Sequence, residues 1–329
     1  MKVTWIGYWI SFETYEVGIS VTRAAWMVGW IEETVKQGST NMSDFKAVLG
    51  RLSFALGVLD YLKPFVSPLF SWCASVSHLG RVAIPWSVAF ILSFVATELK
   101  KEGRTTLVRP RSLDLGPVFM ADAKAEGMDV VLGGWECRNS CPPSSARWFQ
   151  LRLTRKSAPW AFARGEPFRV IAALELYASL VALMLFGEDL GDDTTGMIRI
   201  TGYTDNAGNT AALARLMSSK FPLVVLLTEL AVQLRKRRVE MDLEWVPRNQ
   251  NEAADAITNN NTSIFDPNRK MTVEVSTLRF EILPDMMQVA DHLYAYVREK
   301  REKRTTVTPP ATPATQVKKQ RPLRERDPW

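Results

Sequence analysis

Apolar positions follow two rhythms along the 329-residue chain. Residues 4–20, TWIGYWISFETYEVGIS, alternate apolar and polar side chains as a two-stranded hairpin does, with Gly7 and Gly18 as punctuation. Helical spacing continues over 22–37 and 43–60. Ser43 is the expected N-cap of the second helix, and Leu49, Leu52, Phe54, Leu56 and Leu59 supply its apolar positions. Two uncharged runs, 64–80 and 82–97, flank Arg81. Each is shorter than the roughly 20 residues a membrane span needs, so they read as buried helices, divided into short pieces by Pro64, Pro68 and Pro85. Residues 109–116 read as a linker. Beyond it come strand-like PVFMAD, VVLGGWE and RWFQLRLT, a helix over 168–186, strand-like MIRITGYTD, a helix over 209–237, strand-like VEMDLEWV and a helix from near Asn251. Three strands, helix, strand, helix, strand, helix is an α/β order with a mixed sheet. The expected divisions are 1–110, mainly helical; 117–262, the α/β domain; 263–297, an appended helical or mixed element; and 298–329, a disordered basic tail. No internal repeat is visible.

Composition narrows the class. Hydrophobic residues make up 47% and charged residues 23%, as in a soluble globular protein. Cys73, Cys137 and Cys141 are too few and too irregular for a disulfide framework. A reducing, intracellular location, cytoplasmic or nuclear, is expected. The N-terminal MKVTWIGYWISFETYEVG has one lysine and no long apolar core, so it does not read as a secretory signal. The net charge of +6 belongs to the tail: ten Lys/Arg and four Asp/Glu lie from Arg298 onward, leaving 31 of each sign before it. The tail's REKREKR and KKQRPLRER would attract phosphates with salt-dependent affinity. They read equally as a nuclear-import patch or a solvated tail.

The candidate chemistry lies in four carboxylates. Glu175 sits in VIAALELYASLVALMLF, where every other residue is uncharged and no Lys or Arg lies within a helical turn. An ionised carboxylate there is costly unless paired or bound to a cation; its bland reading is the solvent edge of a buried helix. Asp122 ends PVFMAD and Asp205 ends MIRITGYTD, positions that also suit turn formers or caps. Asp255 falls one turn into a helix that Asn251 can cap, where the helix dipole favours an acid anyway. Taken together the four gain meaning. If the two Asp-bearing strands are neighbours, Asp122 and Asp205 project from one end of the sheet, within reach of Glu175 and Asp255 on helices. Such a set suits a hard cation, Mg²⁺ or Mn²⁺.

MADAKAEGMDVVLGGWE, AALELYASLVAL, YTDNAGNTAALARL and LEWVPRNQNEAADAIT resemble, in order, the four motif blocks of retroelement ribonuclease H domains, in the flavour of DIRS-type and related retrotransposons. The resemblance covers about 150 residues. It implies a ribonuclease H-like mixed five-stranded sheet with flanking helices. It also implies a metal-dependent endonuclease that cleaves the RNA strand of RNA–DNA hybrids, leaving a 5′-phosphate and a 3′-hydroxyl. Two Mg²⁺ or Mn²⁺ ions, about 4 Å apart, would be held by Asp122, Glu175 and Asp205, with Asp255 as the fourth, metal-adjacent carboxylate. Integrases and transposases share the fold but place a Glu last; here the Glu is second and an Asp is last. The resemblance has one departure. Cellular ribonucleases H often carry a histidine in the loop before the last Asp, whereas this chain has only His78 and His292, and Arg248, Asn249 and Gln250 occupy that loop. A lower rate is therefore expected. Asn206, Asn209, Arg248 and Asn251 are candidate nucleic-acid contacts.

WIGYWISFETYEVGIS and FKAVLGRLSFALGVLDYLKPFVSPLF more loosely resemble the stretch of a reverse transcriptase after its catalytic turn, with the thumb and connection beyond it. An unrelated helical domain is the alternative. No Y-x-D-D occurs, so no polymerase activity is expected and a lost polymerase half is a possible partner. Gly-Asp-Asp at 191–193 lacks flanking apolar strands and reads as a loop. Cys137 and Cys141 have no second Cys/His pair to complete a zinc site. Trp135, Trp148 and Trp160 read as core or as stacking platforms. The rival to an enzyme is a catalytically inactive nucleic-acid-binding retroelement remnant.

Overall fold

The computed structural model describes residues 2–101, 105–107, 113–163, 165–187 and 197–305. The Gly-Asp-Asp at 191–193, residues 109–112 of the expected linker and the tail from 306 lie outside the described residues. The chain divides into two compact units: residues 1–108 with 289–329, and residues 109–288. Residues 263–288, expected as part of an appended element, thus belong to the second unit.

The first unit is mainly helical. Its strands β1 (Lys2–Trp5), β2 (Tyr8–Ser11) and β3 (Glu16–Ile19) form an antiparallel meander, joined at β3 by β6 (Thr105–Leu107). The expected hairpin has a third strand because a second tight turn, with Tyr15 at positive φ, returns the chain. Helix α1 (Val21–Gln37) is capped by Ser20, and α2 (Met42–Ala55) comes after the short β4 (Ser39–Asn41). Asn41, not Ser43, is the N-cap of α2: its side chain accepts from the Ser43 backbone N–H at 2.9 Å. Both uncharged runs are helices with buried faces, α3 (Lys63–Val76) and α4 (Trp86–Lys100), with β5 (Arg81–Ala83) between them. Pro68 does not divide α3. It lies in the helix interior, the sixth of 14 residues, and its neighbours are buried, so packing holds the helix across the missing N–H.

The second unit holds the sheet expected of a ribonuclease H-like domain: five mixed strands with flanking helices. Strands β7 (Leu113–Glu126), β8 (Asp129–Glu136) and β9 (Trp148–Leu153) form an antiparallel meander; β10 (Ile198–Thr204) pairs parallel with β7, and β11 (Val239–Trp245) parallel with β10. The spatial order is β11-β10-β7-β8-β9. Leu113–Gly116, read as linker, is the start of β7. A short helix α5 (Pro159–Phe162) leads to α6 (Ile171–Phe186), which packs on β7 and β8. The segment Pro167–Phe186 is long and apolar enough to cross a membrane, but it is mostly buried within the protein. The expected single helix over 209–237 is two, α7 (Ala207–Arg215) and α8 (Leu223–Arg237). Leu216 leaves the helical region with φ of 49°, and Pro222 is joined to Phe221 by a cis peptide bond. Helix α9 (Glu252–Thr258) lies against β7, β8 and β9. Its close approach depends on Gly133, where a Cβ would lie 2.8 Å from the Ile257 side chain. Trp135, Trp148, Phe265, Ala254 and Ile257 form one buried cluster there. The last helix, α10 (Leu283–Thr305), runs through residues expected to be disordered.

Candidate metal centre

The register of the sheet explains how two aspartates meet. Tyr203 of β10 lies opposite Met120 of β7, so two residues further along these parallel strands Asp205 comes level with Asp122. Asp205 lies just past the end of β10, as expected. Asp122 does not end its strand: β7 continues to Glu126, and Asp122 pairs with Gly133 of β8. It stands where β10 has stopped and β8 continues.

Asp122, Glu175 and Asp205 each bring a carboxylate oxygen within 4.8 Å of the other two. Among the described residues none of the three has an ion-pair partner. Asp122 is 7% exposed, and its Oδ2 accepts from the Thr258 hydroxyl at 3.0 Å. Burial, then the negative charge of Asp205, push its carboxyl up to about 6, against the opposing Thr258 hydrogen bond. Burial likewise pushes Glu175 up to about 7, with Asp205 and Asp122 adding to it and a hydrogen bond from the Asn206 side chain opposing it. Glu175 Oε2 and Asp205 Oδ1 are buried without a hydrogen-bond partner. Unpartnered acceptor oxygens on converging acids fit a divalent, oxygen-seeking cation.

Asp255 stands beside this group, close enough for its charge to act on Asp122, but it is engaged elsewhere. Its Oδ1 accepts from Arg248 at 2.7 Å and its Oδ2 from Asn259 at 2.9 Å. Three of the four predicted acids are thus brought together, and the fourth is ion-paired at the rim.

Of the candidate nucleic-acid contacts, only Arg248 is freely exposed. Asn206 caps α7, accepting from the Asn209 backbone N–H at 3.1 Å, while its side chain also meets Glu175. Asn209 and Asn251 correct the expectation, because both are fully buried. Asn209 donates to the Ala172 carbonyl on α6, and Asn251 to the Ala121 carbonyl on β7. Asn251 stands at the N-cap position of α9, yet its side chain does not cap the helix; it ties α9 to the strand that carries Asp122. Trp135 and Trp148 are core, and Trp160 packs edge-on against Tyr177. Sequence reading missed Thr258, one turn beyond Asp255, and Trp245, whose indole donates to the Asp205 carbonyl at 3.0 Å. It also missed the function of Gly133, for which the Gly-Gly pair inside an apolar strand was the available signal.

No protein-family model matches the chain, and no curated protein does. Solved structures do match. The chain is similar to ribonuclease H1 of Halobacterium salinarum, at 18% identity and a TM-score of 0.30, over 45% of this chain and 96% of that one. It is similar to the N-terminal ribonuclease H domain of Rv2228c from Mycobacterium tuberculosis, at 18% identity and a TM-score of 0.28, over 46% and 94%. It is also similar to the foamy viral protease-reverse transcriptase solved with an RNA/DNA hybrid, at 11% identity and a TM-score of 0.24, over 74% of this chain and 29% of that one.

Proposed function

We propose that the second unit is a metal-dependent endonuclease that cleaves the RNA strand of RNA–DNA hybrids, and that the chain derives from a retroelement polyprotein of the DIRS-type or a related group. The observation that carries the reading is the convergence of Asp122, Glu175 and Asp205, unpaired and within 4.8 Å, on the strand, helix and strand that the motif order requires. Those three residues would hold one or two Mg²⁺ or Mn²⁺ ions. Bound there, the ions would neutralise charge developing on the phosphodiester during in-line attack by water. The chain's own side chains prepare the site. Asp122 and Glu175 hold protons well above the usual carboxylate range and must release them for cation binding. Thr258 orients Asp122, Asn206 orients Glu175, and the Trp245 indole fixes the backbone at Asp205.

The test is incubation of the full chain with labelled hybrid and Mg²⁺ beside Asp122→Asn. Mg²⁺-dependent cutting of the RNA strand by the wild type alone supports the nuclease. Hybrid binding without cutting by either protein would assign the chain instead as a nucleic-acid-binding remnant.

A further inference from the structure

The four acids are not equivalent. Among the described residues Asp122, Glu175 and Asp205 face one another with no Lys or Arg partner, whereas each oxygen of Asp255 accepts a hydrogen bond. Asn259 lies one turn further along the chain from Asp255 and travels with it. Arg248 lies on a separate 3₁₀ turn, Arg248–Gln250, before α9. The Arg248 side chain is 78% exposed against 32% for Asp255. The charges of Asp122 and Asp205 act on the guanidinium as well as that of Asp255. An ion pair exposed to this degree contributes little net stability and breaks readily. A guanidinium has five N–H donors in a rigid fork, and a phosphate accepts two of them side by side. Here the contact with Asp255 uses one nitrogen, Nη2. A nucleic-acid phosphate arriving at the acid cluster therefore offers Arg248 a better partner than the one it has.

Resting on the nuclease reading, we infer that Arg248 is a positioning residue. It is a latch that holds Asp255 out of the cation site until a backbone phosphate of the bound nucleic acid draws the guanidinium away. Nucleic acid and divalent cation then load cooperatively, each raising the other's affinity by the same factor. The loop that lacks a histidine would thus link substrate arrival to completion of the acid set.

The experiment measures Mg²⁺ binding by calorimetry, without nucleic acid, on the full chain and on Arg248→Gln, Asp255→Asn and the double variant. Hybrid binding in EDTA is monitored by fluorescence anisotropy. The latch predicts that Arg248→Gln binds Mg²⁺ about fivefold more tightly or better, and that the gain vanishes in the Asp255→Asn background. In EDTA the same variant binds hybrid more weakly and with a shallower salt dependence, one phosphate contact having been lost. Arg248→Lys, with the charge but not the fork, falls between. Unchanged or weaker Mg²⁺ binding by Arg248→Gln overturns the latch. So does an equal gain in the Asp255→Asn background, which would mean simple removal of a positive charge. A wild type that binds no Mg²⁺ overturns the nuclease reading beneath it.

Discussion

A carboxylic acid buried beside two others binds its proton tightly, and Asp122 makes the stability of the cation-free protein depend on pH. Its folded value of about 6 lies above the value near 4 of an unfolded chain. The folded state therefore holds the extra proton between these limits, and this contribution to stability falls as pH rises from about 4 through 6. Glu175, at about 7, extends the same trend to higher pH. In EDTA, Asp122→Asn is expected to be more stable than wild type at pH 8, by up to about 3 kcal/mol, and the gap should close towards pH 4. Urea midpoints of both proteins across that range check it; a gap independent of pH would mean that Asp122 is not strained by ionisation. Protons and cation compete for the same oxygens, so Mg²⁺ affinity measured by calorimetry should rise through pH 6–7 and level off above.

Elements bring these acids together through contacts that individual residues do not advertise. Helix α9 carries Thr258 and Asp255 to β7 only because Gly133 leaves room for Ile257. Gly133→Ala is expected to destabilise the fold by about 1–3 kcal/mol and to depress hybrid cleavage further than its stability loss explains, because α9 must shift. Cleavage rates measured well below the melting point separate the two effects. Helix α8 presents a second case. Its fully buried Glu229 accepts backbone N–H bonds from Glu281, Ile282 and Leu283 at 2.8–3.0 Å and so caps the start of α10. Glu229→Ala leaves these donors without their acceptor and should destabilise the protein by roughly 3 kcal/mol or more, read as a lowered melting temperature. The strand-helix order was legible because apolar periodicity is a local signal, and the acids stood out by their order along it. That Asp122 and Asp205 meet depends on β7 and β10 being neighbours, which no local pattern states. The break between α7 and α8 was signalled by the polar Ser218-Ser219-Lys220 run and by Pro222, and a single helix over 209–237 overrode both. The end of β7 was misplaced because turn-prone residues beyond Asp122 are held extended by pairing with β8. The pairing of Asp255 with Arg248, and the burial of Asn209 and Asn251, depend on tertiary packing that no short window contains.

At the scale of the whole molecule, a cation that binds only the folded chain should stabilise it. Mg²⁺ at a hundred times its dissociation constant adds about 2.7 kcal/mol, visible as a raised melting transition in wild type and absent in Asp122→Asn. The second unit also extends past the boundary that sequence suggested at residue 262. In the order β11-β10-β7-β8-β9 the strand β9 is terminal. Its outer side is met by Lys270, which bridges to Trp148 in parallel fashion, by the Met271 N–H, which donates to the Trp148 carbonyl at 2.8 Å, and by Asp266, whose carbonyl accepts from the Trp148 indole at 2.9 Å. A fragment ending at 262 would bare this edge, and an uncovered strand edge is a template for self-association. On a sizing column, residues 117–262 should elute as oligomers or precipitate, whereas residues 109–288 should remain monomeric at the same concentration. The stretch after α9 would therefore guard the Trp148 end of this edge against self-association, and expression of the second unit alone is expected to depend on retaining it.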